Sequence, residues 1–223
     1  MALKIIQTSD GSHTIYDESL NETYHSIHGS INESNHVYVN AGLKQFIYES
    51  RKKCVTILEV GFGTGLNFLL LYDFIKKMNI KVDYHTIEPK PLNNSVLKKL
   101  NFSKIIGSSI DKIFKIIHKS KSDEMVEIDK KINFVKSINT IENINLKERK
   151  YDIIFFDAFA PSKQPDIWSY NNLNKIHSCM GEDSILVTYC SSGKFKKTLN
   201  DLGFNIEILD GPKGKKEIVR ARK

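Results

Sequence analysis

The chain has 223 residues, of which 40% are hydrophobic and 26% charged, a composition that excludes collagen-like, coiled-coil and mostly disordered proteins. Lysine and arginine number 33 against 26 acidic residues, and the formal net charge of +7 favours an anionic partner such as nucleic acid, although a compositional excess of lysine would give the same charge. Three cysteines are too few for a disulfide framework or a zinc site, and we expect no signal peptide, no membrane span and a cytoplasmic location.

The first 52 residues are polar and rich in histidine and serine, and they predict an extension that packs on the rest of the chain. Turn signals at Asp10-Gly11 and Gly29 favour a hairpin over about Gln7–Asp17, followed by a loop and a helix from about Ala41 to Arg51. We expect this extension to form part of the active-site wall.

From residue 53 to residue 223, apolar patterns of strands and helices alternate. The predicted strands are Val55–Val60, Val82–Ile87, Ile132–Lys136, Tyr151–Phe156, Ile185–Cys190, Phe204–Leu209 and Glu217–Ala221. The predicted helices are Leu66–Lys77, Pro91–Leu100, Ser109–Lys119 and Lys194–Leu202. This alternation predicts a doubly wound α/β sheet. Because only Asp210–Lys216 separates the last two strands, they should form an antiparallel hairpin.

A mostly parallel, Rossmann-like sheet of seven strands that ends in an antiparallel hairpin is typical of class I methyltransferases, which use S-adenosylmethionine (SAM). A plain Rossmann dehydrogenase would end differently. The sequence therefore predicts a class I methyltransferase domain over residues 53–223, with residues 1–52 as a hairpin and helix extension.

A glycine-rich loop, E-x-G-x-G-x-G, follows the first strand of this domain and contains Glu59, Gly61, Gly63 and Gly65. Ligands of open α/β sheets bind at the carboxyl ends of the strands, where glycines let them approach the backbone. Leu66 excludes a P-loop, which needs Lys-Ser/Thr after its last glycine, and the glycine spacing does not match a dinucleotide fingerprint. The spacing resembles motif I of SAM-dependent methyltransferases; a tight turn without a ligand is the alternative.

Glu88 ends the next strand, where a carboxylate can accept hydrogen bonds from both ribose hydroxyls of an adenosyl cofactor. A glutamate at a strand end is more often a solvated charge. Since NAD would use the same carboxylate, only the glycine spacing favours SAM.

Asp157 follows Tyr151–Phe156, whose apolar residues indicate a buried central strand. A primary amine is cationic at neutral pH and cannot attack a methyl group, so a carboxylate here could bind the ammonium, orient it and accept its proton. Phe159 and Trp168 flank this carboxylate and could stack on an extruded base. The alternatives are a helix N-cap for Asp157 and a core position for Trp168.

These segments resemble one enzyme family along almost the whole chain. The resemblance rests on Leu58–Phe68, on Asp157-x-Phe159-x-Pro161-x-Lys163-x-Pro165-x-x-Trp168, and on Tyr24–Ser30, Glu33–Tyr38 and Gly211–Glu217. The family is the tRNA 5-aminomethyl-(2-thio)uridine methyltransferases, namely MnmD and the methyltransferase part of bifunctional MnmC. It implies methylation of the exocyclic amine of 5-aminomethyl-uridine at the tRNA wobble position. We expect no room here for the FAD-dependent oxidase domain of the bifunctional relatives.

We expect Asp157 to position and help deprotonate the amine, while Lys163 touches RNA. Glu33 is expected to approach the cofactor or the amine, with a solvated loop as the alternative. The residues expected to bind the cofactor are Glu59, Gly61, Gly63, Gly65, Asn67, Glu88, Ser137 and Asn139. The residues expected to bind the substrate are Glu33, Phe159, Pro161 and Lys163.

One segment departs from the family. Near the adenine the family tends to have an acidic residue after the third strand, where this chain has Lys136-Ser137-Ile138-Asn139. We expect Ser137 or Asn139 to hydrogen-bond the adenine instead.

Histidines and basic clusters give weaker signals. His25 and His28 suggest a metal site, but no cysteine or acid completes a tetrahedral set, so we expect no metal. Basic clusters at Lys194–Lys197, Lys213–Lys216 and Arg220–Lys223 could contact phosphates of the tRNA anticodon region or form a solvated rim. Two alternatives stay open: methylation of another amine in a small molecule or protein, and a SAM- or RNA-binding module without turnover.

Overall fold

The computed structural model describes residues 3–147 and 150–223. Residues 1 and 2 of the predicted extension and residues 148 and 149 of the predicted methyltransferase domain lie outside the described residues. The strands are β1 (Leu3–Gln7), β2 (His13–Asp17), β3 (Glu22–Thr23), β4 (Cys54–Val60), β5 (Lys81–Ile87), β6 (Met125–Asp129), β7 (Ile132–Ser137), β8 (Tyr151–Phe156), β9 (Met180–Thr188), β10 (Asn205–Asp210) and β11 (Glu217–Arg222). The helices are α1 (Ser30–Ser34), α2 (Gln45–Ser50), α3 (Leu66–Ile75), α4 (Asn94–Leu97), α5 (Phe102–Ile106), α6 (Ser109–Lys119), α7 (Tyr170–Cys179) and α8 (Gly193–Asp201). A π-helical segment, Asn35–Lys44, joins α1 to α2, and a 3₁₀ turn spans Pro165–Trp168.

Within the described residues, β4 to β11 form one sheet in the order β10-β11-β9-β8-β4-β5-β7-β6. Strands β9, β8, β4, β5 and β7 run parallel, and β11 pairs antiparallel with both β9 and β10. This arrangement confirms the predicted class I fold and its antiparallel hairpin. The sheet has eight strands in the described ranges, not the seven predicted, because β6 pairs antiparallel with β7. As an edge strand, β6 mixes charged and apolar residues and shows neither an apolar run nor a strict alternation.

The candidate site lies at the end of three adjacent parallel strands, β4, β5 and β8. All six residues of β8 are buried, and β8 lies between β4 and β9. Because parallel strands end at the same edge of a sheet, the residues that follow β4, β5 and β8 meet there. These residues are Gly61, Glu88 and Asp157.

The sheet separates two apolar cores. Successive side chains of a strand point to opposite faces, so Phe155 packs in one core and Phe156 in the other. Leu69 of α3 joins the first core, while Ile176 of α7 and Leu199 of α8 join the second. This coverage of both faces explains why the central strands are continuous apolar runs.

The extension differs from its prediction in two places. The hairpin of β1 and β2 begins at Leu3 and β3 adds a short third strand, so the predicted start at Gln7 was late. Helical structure begins at Ser30 and continues to Ser50, whereas the predicted helix began at Ala41. The serines, asparagines and histidines of this segment have low helix propensity, and burial of its apolar face overrides that preference.

The outer helices agree with the prediction to different extents. Helix α6 spans the predicted Ser109–Lys119, whereas α4 covers only the middle of the predicted Pro91–Leu100 because Asn93 caps it. The prediction lacked α5 and α7. No helix in the described part of the chain is long and apolar enough to cross a bilayer.

Candidate active site

A cavity of about 580 Å³ opens at the shared end of β4, β5 and β8. This volume is in the range of small-molecule sites. Its walls include the glycine loop, Glu88 and Asp157 from the sheet, and Tyr24 and Glu33 from the N-terminal extension. The extension therefore forms part of the cavity wall.

The glycine loop is held close to the neighbouring strand ends. Gly61 has φ +92°, and a Cβ there would collide with the carbonyl oxygen of Asp157, so only glycine fits. Its N–H donates to the carbonyl of Ile87 at 3.1 Å. Two residues later, the N–H of Gly63 donates to Oε2 of Glu88 at 2.9 Å. The loop, the end of β5 and the end of β8 thus form one backbone framework.

Glu88 presents a carboxylate to the cavity. Besides the bond from Gly63, its Oε1 accepts the N–H of Lys90 at 2.8 Å. Burial raises the pKa of Glu88, while these two N–H groups and the charge of Lys136 oppose the rise. Each carboxylate oxygen keeps a second lone pair for a hydroxyl donor.

Asp157 is held by hydrogen bonds to both of its oxygens. The hydroxyl of Tyr38 donates to Oδ1 at 2.6 Å, and Nδ2 of Asn67 donates to Oδ2 at 2.7 Å. Burial raises the pKa of Asp157 to about 7; the charge of Glu33 adds to the rise, and the two hydrogen bonds and the charge of Lys215 oppose it. A carboxylate with this pKa can accept and release a proton near neutral pH.

Glu59 lies behind the loop. It is fully buried and accepts hydrogen bonds from Nδ2 of Asn67 at 3.0 Å and from the hydroxyl of Thr86 at 3.1 Å. Burial raises the pKa of Glu59 to about 8, so this carboxyl is mostly protonated at neutral pH. Asn67 therefore links Glu59 to Asp157, while its own buried Oδ1 accepts no hydrogen bond among the described residues.

Aromatic residues form another part of the cavity wall. Tyr24 and Phe159 line it and pack edge to face with their ring centroids 4.9 Å apart. Nε1 of Trp168 donates to the carbonyl of Phe159 at 2.8 Å, and the Trp168 ring packs in the second core. The structure thus favours the core interpretation of Trp168, whose ring supports the Phe159 loop. Lys163 lines the cavity as well.

Besides Glu59, four sequence-predicted residues do not line the cavity in the described structure. Gly65 packs against Phe62, and Pro161 lies outside the wall. The hydroxyl of Ser137 is buried and donates to Asp123 at 2.5 Å, and Oδ1 of Asn139 accepts its neighbour's N–H. These bonds hold Ser137 and Asn139 outside the cavity wall, and their contact with the adenine stays a prediction. The segment that does reach the wall is Thr140–Glu142.

Sequence reasoning missed several residues that line the cavity or bond to Asp157 within it. Tyr24, Tyr38 and Lys215 belong to segments that carried the family resemblance. No pattern gave the two tyrosines a role, and Lys215 was expected only as part of the basic cluster Lys213–Lys216. Tyr189 follows β9 and donates from its hydroxyl to the carbonyl of Ala158 at 2.8 Å. A position just after a parallel strand could have singled out Tyr189.

Several residues of the basic clusters are paired with acidic residues of the protein. Arg220 is only 8% exposed and pairs with Glu207, and Arg222 pairs with Glu207 and Glu49. Lys196 pairs with Glu217 at 2.8 Å. These contacts join β10 and β11 to each other and to neighbouring helices, so they stabilise the fold. Lys194, Lys213 and Lys216 of the same clusters are exposed.

His25 is part of a polar network rather than a ligand set. Its ring nitrogens lie 3.3 Å from the hydroxyl of Thr14 and 3.2 Å from that of Thr64, and burial lowers its pKa to about 4. In the described ranges, no three His, Cys, Asp or Glu side chains are arranged to hold a metal ion.

Comparisons with known proteins identify a family and a fold. The family model for S-adenosyl-L-methionine-dependent methyltransferases matches residues 101–223. The tRNA 5-methylaminomethyl-2-thiouridine biosynthesis bifunctional protein MnmC of Burkholderia multivorans is 26% identical over 220 residues, which cover 92% of this chain and 33% of that protein. The MnmC of Campylobacter hominis is 27% identical over 93% of this chain and 31% of that protein. The chain thus spans about a third of these curated relatives.

Solved structures share the fold. The crystal structure of MNMC2 from Aquifex aeolicus superposes with a TM-score of 0.81 at 24% identity, covering 99% of this chain and 70% of that one. Spermidine synthase from Thermotoga maritima superposes with a TM-score of 0.54 at 14% identity over 99% of this chain and 73% of that one. Both matches include the N-terminal extension.

Proposed function

This chain belongs to the S-adenosyl-L-methionine-dependent methyltransferase family, and we propose that it methylates the amine of 5-aminomethyl-(2-thio)uridine at the wobble position of tRNA. The product would be 5-methylaminomethyl-(2-thio)uridine. The curated relatives named for biosynthesis of this nucleoside support the choice of substrate. Because the chain spans about a third of their length, the proposal covers methyl transfer alone.

The cavity residues fit the cofactor of this family. Backbone at Gly61 and Gly63 gives close approach, and Glu88 offers acceptors for two ribose hydroxyls. Oδ1 of Asn67, which has no hydrogen-bond partner among the described residues, supplies a further buried polar atom next to the loop. SAM supplies an activated methyl group on a sulfonium, which needs alignment more than acid catalysis.

Asp157 would manage the proton of the acceptor. An alkylammonium ion must lose a proton before its nitrogen can attack, and a carboxylate with a pKa of about 7 can take it. Tyr38 and Asn67 fix both carboxylate oxygens, and the remaining lone pairs can accept N–H donors. The neutral amine would then be held against the cofactor side of the cavity.

The aromatic corner of Tyr24 and Phe159 would receive an unstacked base. Recognition of RNA by splayed bases on aromatic side chains is common. Lys163, which lines the same cavity, would contact a phosphate. A tRNA substrate would place the protein in the cytoplasm. The methyltransferase domain would span residues 53–223, with residues 1–52 as its N-terminal extension.

The observation that supports amine methylation most directly is the position of Asp157, a base of near-neutral pKa beside the cofactor loop. Nucleoside mass spectrometry tests the whole proposal: purified protein is incubated with SAM and with tRNA from cells that cannot complete this modification. We expect one added methyl on 5-aminomethyl-uridine, which Asp157→Ala abolishes. No added methyl, with SAM binding verified separately, would refute the tRNA assignment and favour another amine as acceptor.

A further inference from the structure

A primary ammonium of the chain itself lies in the cavity. Nζ of Lys215 is 3.4 Å from Oε1 of Glu33 and 4.6 Å from the ring centroid of Tyr189. All three residues line the cavity together with Asp157. The ammonium therefore lies beside the Glu33 carboxylate and the Tyr189 ring, and its charge acts on the Asp157 carboxylate in the same cavity. Carboxylates and aromatic faces are the groups that bind alkylammonium ions.

Glu33 is the second carboxylate. The residue is 8% exposed, its Oε2 accepts the N–H of Ser26 at 2.8 Å, and its Oε1 accepts no hydrogen bond among the described residues. A buried carboxylate oxygen without a hydrogen bond is costly, and an N–H donor in the cavity would relieve that cost. The like charges of Glu33 and Asp157 also favour a cation beside both.

The loop between β10 and β11 directs Lys215 inward. The N–H of Lys215 donates to the carbonyl of Pro212 at 2.9 Å, and the N–H of Gly211 donates to the carbonyl of Lys216 at 3.0 Å. Gly214, at φ +90°, packs so tightly on the His28 ring that no Cβ would fit. The backbone thus fixes where the side chain starts, while the Lys215 side chain is still 30% exposed and can swing out.

We propose that Glu33, Asp157 and Tyr189 bind the primary ammonium of the methyl acceptor, and that the ammonium of Lys215 fills this site until the acceptor displaces it. The inference rests on the proposed function, because that function makes the acceptor an aminomethyl group. A lysine side chain and an aminomethyl-uridine both end in a primary alkylammonium, so one site accommodates either. A uridine without an amine cannot replace the positive charge of the Lys215 ammonium. Displacement of Lys215 therefore selects for a uridine that carries an amine.

Lys215→Met tests the displacement, with Lys216→Met as the matched control from the same loop, where the side chain is exposed. At pH 8.5, where Asp157 is ionised, we expect Lys215→Met to lower KM for the aminomethyl tRNA about threefold or more, because no internal cation competes, and to change kcat much less. Lys216→Met should leave this KM unchanged or raise it. Equal increases of KM in both variants would overturn the proposal and identify Lys215 as a phosphate contact.

Methylammonium chloride tests the ammonium site without RNA. In thermal unfolding, millimolar methylammonium should stabilise Lys215→Met relative to potassium chloride of equal ionic strength, and should stabilise the wild type less. Adding Glu33→Gln to Lys215→Met should remove the gain. Equal melting temperatures in the two salts would overturn the site. A methylammonium gain without methylation of tRNA would instead refute the proposed function and leave the ammonium site standing.

Glu33→Gln alone keeps the proposal testable if Lys215→Met does not fold. We expect KM for the acceptor to rise about tenfold, roughly the effect of losing one hydrogen bond to a charged group, and to change far more than kcat. SAM affinity, measured by calorimetry, should stay the same. An unchanged KM in this variant would contradict a role for Glu33 in binding the amine.

Discussion

The hydroxyl of Tyr38 donates a 2.6 Å hydrogen bond to Oδ1 of Asp157, although 119 positions separate the two residues. Tyr38 lies in the π-helical segment of the N-terminal extension, and Asp157 follows β8. The orientation of the candidate base therefore depends on a segment outside the predicted methyltransferase domain.

Tyr38→Phe removes this donor. The hydrogen bond lowers the pKa of Asp157, so its loss should move the pH midpoint of kcat/KM upward from about 7. We expect kcat/KM at pH 7 to fall about tenfold, with SAM binding unchanged. Tyr16→Phe is the control, because that hydroxyl bonds only to Asn21 among the described residues. A Tyr38→Phe profile that overlays the wild-type profile would contradict a positioning role.

Asp157→Asn should stabilise the fold at alkaline pH. Burial raises the pKa of Asp157 from 3.8 to about 7, so the folded state binds more protons between these values and the ionised carboxylate destabilises it above pH 7. Removing the charge should raise the melting temperature at pH 8 by about 2–4 °C or more, and the difference should shrink at pH 5. Methyl transfer should fall at least about 100-fold. A pH-independent difference in melting temperature would show that the charge is not the cause.

Glu88→Gln tests the cofactor side. The amide keeps the size of the side chain but loses the charge that strengthens a hydrogen bond from ribose. We expect the Kd for SAM, measured by calorimetry, to rise about tenfold. Glu124→Gln is the control, since Glu124 is exposed and pairs with Lys121 at 3.1 Å. Equal affinities in all three proteins would exclude Glu88 from the cofactor site.

Lys163→Gln tests whether Lys163 contacts a phosphate of the RNA. Lys163 lines the cavity, whereas Lys197 pairs with Asp201 at 2.6 Å on α8. We expect Lys163→Gln to weaken tRNA binding and to reduce the slope of log affinity against log salt by about one. Lys197→Gln should keep the wild-type slope. If both variants lose the same slope, the charge at Lys163 acts only through the general field of the protein.

The sequence predicted correctly the bounds of those elements that show a strong local pattern, either a continuous apolar run or a clear helical period. Tyr151–Phe156 and Ser109–Lys119 match their predicted bounds because one is a continuous apolar run and the other shows a clear helical period. Strand β6 and the start of the N-terminal helix were missed because tertiary packing overrides weak local preferences there.

The residues of the candidate site also fall into two groups, those that a local sequence pattern predicts and those that only long-range contacts bring to the site. Glu88 and Asp157 could be predicted because a polar residue after a buried parallel strand points to the ligand edge. Tyr38 and Lys215 could not, since contacts over long sequence separations leave no pattern in either segment. Ser137 was expected at the adenine from its position after β7, but its hydroxyl turns to Asp123 in the described structure.

Strand β11 lies between β9 and β10 although it follows both in the chain. During synthesis, β10 therefore leaves the ribosome before the strand that connects it to the sheet, and the edge of β9 stays open in the meantime. Exposed strand edges invite pairing with other chains. Substitutions at the fully buried Val219 should accordingly reduce the yield of folded protein, through aggregation of nascent chains, before they reduce turnover.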